Sequence, residues 1–385
     1  MRVLIAFDKF KDSLTAAEAC QIAARVISQS HPSYEIEMAP LSDGGDGFCQ
    51  VLTESLNGSS IEVQSSGPCM EKLHAPIGMV ETIQIPSEAL AHLDLSPTVQ
   101  KIALIEMATT SGLSLLPPER RNPWETTSYG TGQLIRIAIE RGAQAIILGV
   151  GGSATNDLGL GALSALGFDF LQNDGSKAHP PFPSRWKEIE KIEGQTPQSM
   201  PPLFIACDVS NPLFGPNGAA SIYGPQKGLS VQDIPQMERL SHKMAALLCH
   251  LCQQSIQIAE TPGAGAAGGI AFGLLVAAKV RLISGIDLVS SWLQLNEKMA
   301  AAELVITGEG RFDESSLAGK GPGTLVKQSL GLGKKTVIFA GSIDKSLAMS
   351  CPIHEITPEG QLLPEALSKA GTNLAASISK HFQAQ

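Results

Sequence analysis

The stretch "VITGEGRFDESSLAGKGP" places Glu309, Arg311, Asp313 and Lys320 close together, directly after an apolar run. Phosphoryl transfer needs cations for the equatorial oxygens of the phosphoryl group, a metal ligand, and a carboxylate that orients the attacking hydroxyl. All three residue types occur in this stretch. A surface cluster of ion pairs is the alternative interpretation, and we favour phosphoryl transfer.

A Gly-rich loop is the second candidate, and it lies in "LGVGGSATNDLGLGALSALG". The exposed amides of Gly151, Gly152 and Ser153 would precede a helix, and helix N-termini attract anions. No Lys lies between Arg141 and Lys177, so the stretch is not a G-x-x-x-x-G-K-[ST] loop. Because a helix dipole contributes only about 0.3–1 kcal/mol, such a loop could hold a phosphate but needs cations from elsewhere. A simple helix cap is an equally good interpretation.

Three further loops contain cations and carboxylates. Lys11 follows the first apolar run, and its flexible charge suits a carboxylate or a phosphate. Lys227, in "YGPQKG", is a second candidate phosphate ligand, and Asp208 follows the run "LFIA", where it could also cap a turn. Asp43 and Asp46, in "DGGDG", could hold Mg²⁺, which takes one or two protein carboxylates plus phosphate oxygens. An Asp-Gly turn is the commoner reason for such a motif, and this motif alone favours the turn.

The elements that must position these loops are predicted strands and helices in alternation. The runs "RVLIAF", "QAIILGV" and "ELVITG" predict buried strands, and "TAAEACQIAARVI" predicts a helix that begins with a capping box. Ligands of open α/β sheets bind at the carboxyl ends of strands, so we expect the loops to converge. The pattern predicts a discontinuous first domain, residues 1–66 plus 290–385, with an inserted α/β domain at 67–289.

Composition excludes several classes of protein. The 385-residue chain is 43% hydrophobic with a net charge of −9 and no basic run, so we expect no nucleic-acid partner. Its apolar start is too short for a signal peptide, and its longest uncharged run is rich in Gly and Ala. We therefore expect a buried helix and no membrane partner. Seven Cys, an odd number, favour a reducing cytoplasm over a disulfide framework.

The motifs together closely resemble those of the bacterial glycerate kinase family. The resemblance covers nearly the whole chain and rests on "FKDSLTAAEA", "DGGDG", "IEMATTSGL", "GVGGSATND", "ACDVSNPLFGPNGAASIYGPQKG", "PGAGAAGGIAFG" and "LVITGEGRFDESSLAGK". It implies ATP-dependent phosphorylation of D-glycerate to 2-phosphoglycerate in sugar-acid breakdown. It also implies a two-domain α/β fold, one part a Rossmann- or flavodoxin-like parallel sheet, with the active site in the cleft between domains.

On this resemblance we assign roles to individual residues. Lys11 and Arg311 would neutralise the substrate carboxylate and the transferring phosphoryl group, and Asp313 or Asp208 would orient the hydroxyl or accept its proton. The residues that we expect to bind the nucleotide are Gly151, Gly152, Ser153, Asn156, Asp157, Lys227 and Glu309. Mg²⁺ would bridge ATP oxygens with Asp43 or Asp46 nearby.

Two alternative functions stay open at this point. One is a kinase for another small hydroxy acid, and the other is a non-catalytic sugar-acid sensor with the same fold. A sensor would have no need of metal ligands and a base, which argues against it. The sequence does not assign loops to ATP or to glycerate, and a homodimer is left open.

Overall fold

A computed structural model describes most of the chain, namely residues 1–42, 44–317, 321–344 and 346–383. The chain divides into two compact units. The first unit comprises Met1–Asp43 and Ile286–Gln385, and the second comprises Gly44–Gly285. Each unit contains its own main β-sheet and its own hydrophobic core.

The strands of the described residues are, in chain order, β1 (Arg2–Phe7), β2 (Glu35–Met38), β3 (Ser59–Ser66), β4 (Lys72–Glu81), β5 (Lys101–Glu106), β6 (Ala145–Gly149), β7 (Phe168–Gln172), β8 (Ile189–Gly194), β9 (Leu203–Ala206), β10 (Val280–Ile283), β11 (Leu304–Gly308), β12 (Arg311–Phe312), β13 (Lys335–Ala340), β14 (Ser342–Ile343) and β15 (Ile353–Glu355).

The α-helices of the same residues are α1 (Ala16–Ser30), α2 (Phe48–Ser55), α3 (Ser87–Leu93), α4 (Ala108–Ser111), α5 (Tyr129–Glu140), α6 (Leu160–Ala165), α7 (Ala219–Tyr223), α8 (Ile234–Cys252), α9 (Ala266–Ala277), α10 (Gly285–Trp292), α11 (Leu295–Ala301), α12 (Glu314–Leu317), α13 (Gly321–Gly331), α14 (Leu363–Ser368) and α15 (Ala370–Gln383).

The first unit is built on a five-stranded parallel sheet with the strand order β15-β13-β11-β1-β2. Numbered along this unit alone, the order is 2-1-3-4-5, which is the flavodoxin-like order. Its topological switch point lies between β1 and β11. From β1 the strand order proceeds toward one edge of the sheet, and from β11 it proceeds toward the other edge. A ligand of such a sheet binds outside the carboxyl ends at the switch point, so the loops after β1 and β11 are the expected site.

Helices α1 and α15 cover one face of this sheet. The predicted capping box starts α1: the Glu18 amide donates to Thr15 Oγ1 at 3.2 Å, and the Thr15 amide donates to Glu18 Oε2 at 2.8 Å. The apolar positions of α1, among them Ala23 and Ile27, are buried with Ile5 of β1. Burial of one such aliphatic side chain stabilises the fold by about 1.5–3 kcal/mol, so this face fixes β1 firmly.

The second unit is built on a six-stranded mixed sheet with the order β10-β9-β6-β5-β4-β3. Strands β5, β6, β9 and β10 are parallel, and β3 and β4 form an antiparallel edge. The parallel strands β6 and β9 are buried along their whole length, and β5 is buried after its first residue, which explains their apolar sequences. Their carboxyl ends share one edge of the sheet, where the Gly-rich loop begins.

The fold class is confirmed: the chain is α/β, and one parallel sheet is assembled from both ends of the sequence. The limits of the units differ from the predicted limits of the domains. Residues 44–66 belong to the second unit because β3 pairs with β4 along its full length. A strand belongs to the sheet whose strands form hydrogen bonds with it. The sequence pattern alone does not show which strand β3 pairs with.

The uncharged run between 261 and 278 contributes α9, which is interrupted by left-handed backbone at 267–269. No helix in the described part of the chain has the length and apolar character needed to cross a membrane.

Candidate functional site

The loops after β1 and β11 meet at the switch point of the first unit. Phe7 and Gly308 are register partners at the ends of the two strands, and the Asp8 amide donates to the Gly308 carbonyl at 2.9 Å. A Cβ placed on Gly310 would lie 3.1 Å from the backbone nitrogen of Lys11. Lys11 itself is exposed in the turn that follows β1. The structure therefore brings together the predicted Lys11 loop and the predicted Arg311 loop.

Arg311 is presented to solvent from a short, well-anchored strand. Strand β12 pairs with β14, and the neighbouring side chain of Phe312 is fully buried. Arg311 Nε lies 3.2 Å from Asp313 Oδ2, and the Arg side chain is 72% exposed. The Asp313 amide donates to Ser316 Oγ at 3.1 Å, which fixes the turn between them. A guanidinium held in this way can contact an anion with its remaining donors. Lys320 lies outside the described residues.

A further carboxylate of this loop cluster, Asp344, was missed by the sequence reasoning. Its amide donates to the Phe312 carbonyl at 3.0 Å, which places it beside β12. Hydrogen bonds from the amide and hydroxyl of Ser346, with a smaller contribution from the charge of Arg311, lower the pKa of Asp344. The only signal in the sequence was its position just past the predicted strand "KKTVIFAGSI".

Glu309 directly follows β11 and is half-buried. Its backbone carbonyl accepts a hydrogen bond from the Gly341 amide at 3.1 Å, so the residue ties the loop after β11 to the loop after β13. Its predicted contact with the nucleotide stays a prediction.

The Gly-rich loop of the second unit follows β6 and packs against the loop that contains Asp46. The Gly151 amide donates to the Gly44 carbonyl at 3.0 Å. Gly152 is exposed with φ of 72°, and a Cβ placed on it would lie 2.9 Å from Asp46 Oδ1. This backbone conformation suits glycine, and the close carboxylate leaves no room for a side chain. Gly151, Gly152 and Asp46 therefore lie together, and their predicted role as a phosphate and metal site stays a prediction.

Asp43 lies outside the described residues. Within the parts that are described, no group of three or more His, Cys, Asp or Glu side chains is arranged to hold a metal ion. One hard carboxylate beside the exposed Gly152 nevertheless fits Mg²⁺, because this ion usually keeps waters and phosphate oxygens as its other ligands.

Asp157 lies beneath the loop and has no exposed surface. Its Oδ2 accepts from the Ser128 amide at 2.7 Å, from Ser128 Oγ at 2.8 Å and from the Gly161 amide at 3.2 Å, while Oδ1 accepts from the Gly159 amide at 3.1 Å. Burial raises the pKa of Asp157, and these hydrogen bonds oppose that shift. The carboxylate thus joins the starts of α5 and α6.

Two predictions about this loop are corrected by that arrangement. Helix α6 begins only at Leu160, and its first amides are occupied by Asp157, so they are not offered to a phosphate. The side chain of Asp157 is buried, and its oxygens already accept hydrogen bonds from the protein. In this conformation it therefore has a structural role instead of the predicted direct contact with the nucleotide. Asn156 is also buried, and its Oδ1 has no hydrogen-bond partner.

Lys227, which the sequence analysis gave as a candidate phosphate ligand, is buried as well. Its side chain is 2% exposed, and Nζ donates to Ser153 Oγ at 2.9 Å and to the Thr155 carbonyl at 2.7 Å. Burial lowers the pKa of Lys227 to about 7, while the negative charge of Asp157 acts in the opposite direction. The structure brings Lys227 and Ser153 together below the surface of the loop.

Asp208 lies at the same edge of the second sheet, just past β9. It is exposed, and its Oδ1 accepts a hydrogen bond from Ser284 Oγ at 2.9 Å, just past β10.

Glu106, at the end of β5, is a positioning residue that the sequence reasoning missed. Its carboxylate accepts from the amides of Gly47 at 3.1 Å and Cys49 at 3.2 Å, which fixes the Asp46 loop at the start of α2.

The fold and these loops define an α/β enzyme of the phosphotransferase class. Gly amides, an exposed guanidinium, a lysine and several carboxylates all follow the carboxyl ends of parallel strands. This is the set of groups that phosphoryl transfer requires, and none of the loops has the sequence of a Walker P-loop.

Comparisons with known proteins agree with that class. The model of the glycerate kinase family matches residues 3–384. The chain is 37% identical over 349 residues to the glycerate kinase of Haemophilus influenzae, covering 89% of this chain and 86% of that protein. It is 37% identical over 347 residues to the glycerate 2-kinase of Escherichia coli, covering 89% and 86%. A crystal structure described as glycerate kinase 2 of Salmonella typhimurium matches with a TM-score of 0.75 at 30% identity, covering 100% of this chain and 98% of that one.

The chain belongs to the glycerate kinase family. It is accordingly an enzyme that phosphorylates glycerate, and ATP is the co-substrate that the kinase class implies. The family predicted from the sequence motifs is confirmed.

Proposed function

We propose that this enzyme transfers the γ-phosphoryl group of ATP to the 2-hydroxyl of D-glycerate and releases 2-phosphoglycerate. The observation that carries the proposal is the exposed Arg311, held by Asp313 at the switch point of a flavodoxin-like sheet. A fixed guanidinium at that place is suited to a carboxylate or to a transferring phosphoryl group. Similarity over the full chain to glycerate kinases supports the choice of glycerate.

In the proposed reaction, the 2-hydroxyl oxygen attacks the γ-phosphorus in line, and the bond to the β–γ bridging oxygen breaks. Lys11 and Arg311 neutralise the carboxylate of glycerate and the equatorial oxygens of the transferring group. Both side chains are exposed, so both are accessible to a ligand. Such preorganised cations stabilise charge that is spread over the phosphoryl oxygens in the transition state.

The proton of the hydroxyl passes to a carboxylate, and we retain Asp313 and Asp208 as candidates. Asp313 Oδ2 lies 3.2 Å from Arg311 Nε, which holds the carboxylate in place as an orienting acceptor. Asp208 is exposed and accepts a hydrogen bond from Ser284. Replacing each by Asn in turn separates them, because the loss of the proton acceptor lowers kcat more than it raises KM.

For the nucleotide, we propose that phosphate oxygens contact the amide of the exposed Gly152, because the amide of Gly151 already donates to the Gly44 carbonyl. Asp46 beside Gly152 would hold Mg²⁺, with Asp43 as a second candidate ligand. When bound, the ion neutralises phosphate oxygens as charge develops on them. Asn156 and Glu309 stay candidates for contact with the nucleotide.

The remaining proposals concern the setting of the enzyme. The acidic chain has no basic run, which supports small-molecule substrates over nucleic acid. All seven cysteines are free thiols, which supports a reducing, cytoplasmic location. We keep a homodimer as the proposed assembly and the two compact units as the proposed domains.

The test of the proposed function is an assay of the purified chain with ATP, Mg²⁺ and D-glycerate. We expect release of ADP, and ³¹P NMR of the product should show 2-phosphoglycerate rather than the 3-isomer. A panel with L-glycerate and longer aldonates serves as the control for the substrate. Faster turnover of an aldonate would favour a kinase for another hydroxy acid. Binding of glycerate without any release of ADP would favour a sensor.

A further inference from the structure

The ammonium group of Lys227 is fixed inside the second unit by two acceptors of the Gly-rich loop. Nζ donates to Ser153 Oγ at 2.9 Å and to the Thr155 carbonyl at 2.7 Å. The side chain is 2% exposed, and Ser153 and Thr155 are also buried. Lys227 therefore acts on the loop from below and does not reach a ligand at the exposed surface of the loop.

The backbone around Lys227 holds the side chain in this direction. Lys227 ends a short 3-10 turn, Pro225–Lys227, and Gly228 follows with φ of 93°. A Cβ on Gly228 would collide with the backbone carbonyl of Arg121. Because only glycine fits that close approach, the chain leaves the turn along one path and the lysine stays buried.

Stability alone gives a poor reason for a lysine at this position. Burial of an ammonium costs more free energy than burial of a methionine of similar size, even where a countercharge is present. The charged side chain that acts on Lys227 among the described residues is Asp157, whose five described donors come from Thr127, Ser128, Gly159 and Gly161. Asp157 attracts the ammonium without a hydrogen bond to it in the described structure, so the charge of Lys227 is only partly balanced.

The exposed part of the loop lies immediately next to these contacts. Gly152, which precedes Ser153, is exposed, and Gly151 is half-exposed. A phosphate on the Gly152 amide would add negative charge on the outer side of the same loop. In a poorly hydrated region such a charge interacts strongly with a buried ammonium, because little water screens the two groups.

We propose that Lys227 is a positioning residue of the 151–157 loop and the buried countercharge for a nucleotide polyphosphate that binds at Gly152. This inference deepens the proposed function and rests on its assignment of ATP to this loop. It differs from direct coordination of phosphate by a surface lysine, because the lysine acts through Ser153 and Thr155.

Proton linkage follows from this placement. Burial lowers the pKa of Lys227 to about 7, so the free protein at mildly alkaline pH holds it mostly neutral. A polyphosphate on the loop favours the ammonium form and raises that pKa. Binding of ATP therefore takes up a proton from the buffer, and ATP affinity falls as pH rises above about 7.

The test is calorimetric titration of the full chain with ATP at about pH 7.5, without glycerate, in buffers of different ionisation enthalpy. The wild-type chain should take up a substantial fraction of one proton per ATP bound. The K227R variant stays charged at every accessible pH and should show none of this uptake. K243R is the matched control, since Lys243 is a half-buried lysine of the same unit that donates to Glu190 at 2.8 Å. It should behave as the wild type.

Proton release or uptake by ATP itself is the same for the wild type and for both variants. The difference in proton uptake between these proteins therefore reports on Lys227. S153A provides a variant that keeps the lysine and removes one of its acceptors. We expect it to weaken ATP binding about 3- to 10-fold while proton uptake persists.

Equal proton uptake by the wild type and K227R would overturn the inference. It would also be overturned if the ATP affinity of the wild type did not change between about pH 6.5 and 8.5. Absence of ATP binding by the wild type would overturn it as well. The proposed function fails separately: no phosphorylated product from D-glycerate, together with proton-linked ATP binding, would sink the glycerate assignment and leave the role of Lys227 intact.

Discussion

Arg311 Nε lies 3.2 Å from Asp313 Oδ2, just beyond the end of β11, and most of the Arg side chain faces solvent. Exposed ion pairs contribute about 0–1 kcal/mol to stability, so Arg311→Ala should leave the unfolding midpoint nearly unchanged. We expect kcat to fall by about 10²- to 10³-fold, as when one preorganised donor to the transition state is lost. Steady-state kinetics and urea unfolding of the same preparation measure both effects.

Arg2→Ala is the matched control for that variant. Arg2 pairs with Glu35 at 2.9 Å and is similarly exposed, but it lies at the amino end of β1, away from the switch point. This control should lose as little stability as the Arg311 variant and keep normal turnover. Near-normal kcat in Arg311→Ala would contradict the assignment of Arg311.

The Gly152 backbone offers a test of the Gly-rich loop. Gly152→Ala forces a side chain onto left-handed backbone and within 2.9 Å of Asp46 Oδ1. Gly142→Ala is the control, because Gly142 has φ of 82° and no heavy atom within 4 Å of the added Cβ. Both should lose about 1–2 kcal/mol of stability through backbone strain. Only Gly152→Ala should also lower kcat/KM for ATP, by about 10-fold or more. Equal kinetic losses in the two variants would show that the loop is not a ligand site.

Asp46 allows the proposed metal site to be examined without changing the loop. Asp46→Asn keeps the shape of the side chain and removes the charge that favours a divalent cation. We expect the Mg²⁺ concentration at half-maximal rate to rise about 10-fold, with the ATP-independent stability preserved. Asp174→Asn, at an exposed turn of the same unit, is the control. An unchanged Mg²⁺ dependence in Asp46→Asn would remove Asp46 from the metal site.

Much of the first unit could be predicted from the sequence, because its signals are local. The apolar run of β1, the Thr15–Glu18 capping box and the spacing of Ala23 and Ile27 depend only on neighbouring residues. The place of Arg311 after a buried strand follows from the same pattern. The carboxyl-end rule for parallel sheets then predicts that the loops of Lys11 and Arg311 meet, and the register of β1 and β11 brings those loops together.

Burial at the Gly-rich loop could not be predicted in the same way. Whether a lysine such as Lys227 points outward or inward depends on packing between segments that are far apart in sequence. Lys227 and Ser153 are separated by more than 70 residues, and Asp157 receives donors from the distant Ser128. The residue types suggested phosphate contact, whereas the structure shows charges that support the loop from inside.

The paired imidazoles of His354 and His381 predict a pH-dependent stability of the first unit. His354 Nε2 lies 2.9 Å from His381 Nδ1, and both rings contact Phe339. Burial lowers the pKa of both, and the positive charges of His381 and Lys380 lower that of His354 further. Both rings have a lower pKa in the folded state than the value of 6.5 in the unfolded state. The stability that the neutral rings give the first unit is therefore complete above pH 6.5 and is lost as pH falls through the folded pKa values.

Urea unfolding of the wild type, followed from about pH 7.5 to 5, should therefore show a falling midpoint. His381→Asn removes one titrating ring and keeps a hydrogen-bonding side chain, so its midpoint should fall less steeply. His74→Asn, at an exposed position of β4, should follow the wild type. A parallel decline in all three proteins would show that other groups cause the acid sensitivity.

Replacement of Asp157 tests whether its carboxylate has a structural role or binds a ligand. Its oxygens accept hydrogen bonds from three amides and from the hydroxyls of Ser128 and Thr127, and an Asn side chain at this position would turn an NH₂ group toward some of these donors. Each hydrogen bond to a charged group contributes about 1.5–3 kcal/mol, so Asp157→Asn should destabilise the second unit by about 3 kcal/mol or more. Asp174→Asn, whose carboxylate is fully exposed, should leave the unfolding midpoint nearly unchanged. If Asp157→Asn instead unfolds at the wild-type urea concentration and loses only its affinity for ATP, then Asp157 contacts the nucleotide directly and the loop rearranges when the ligand binds.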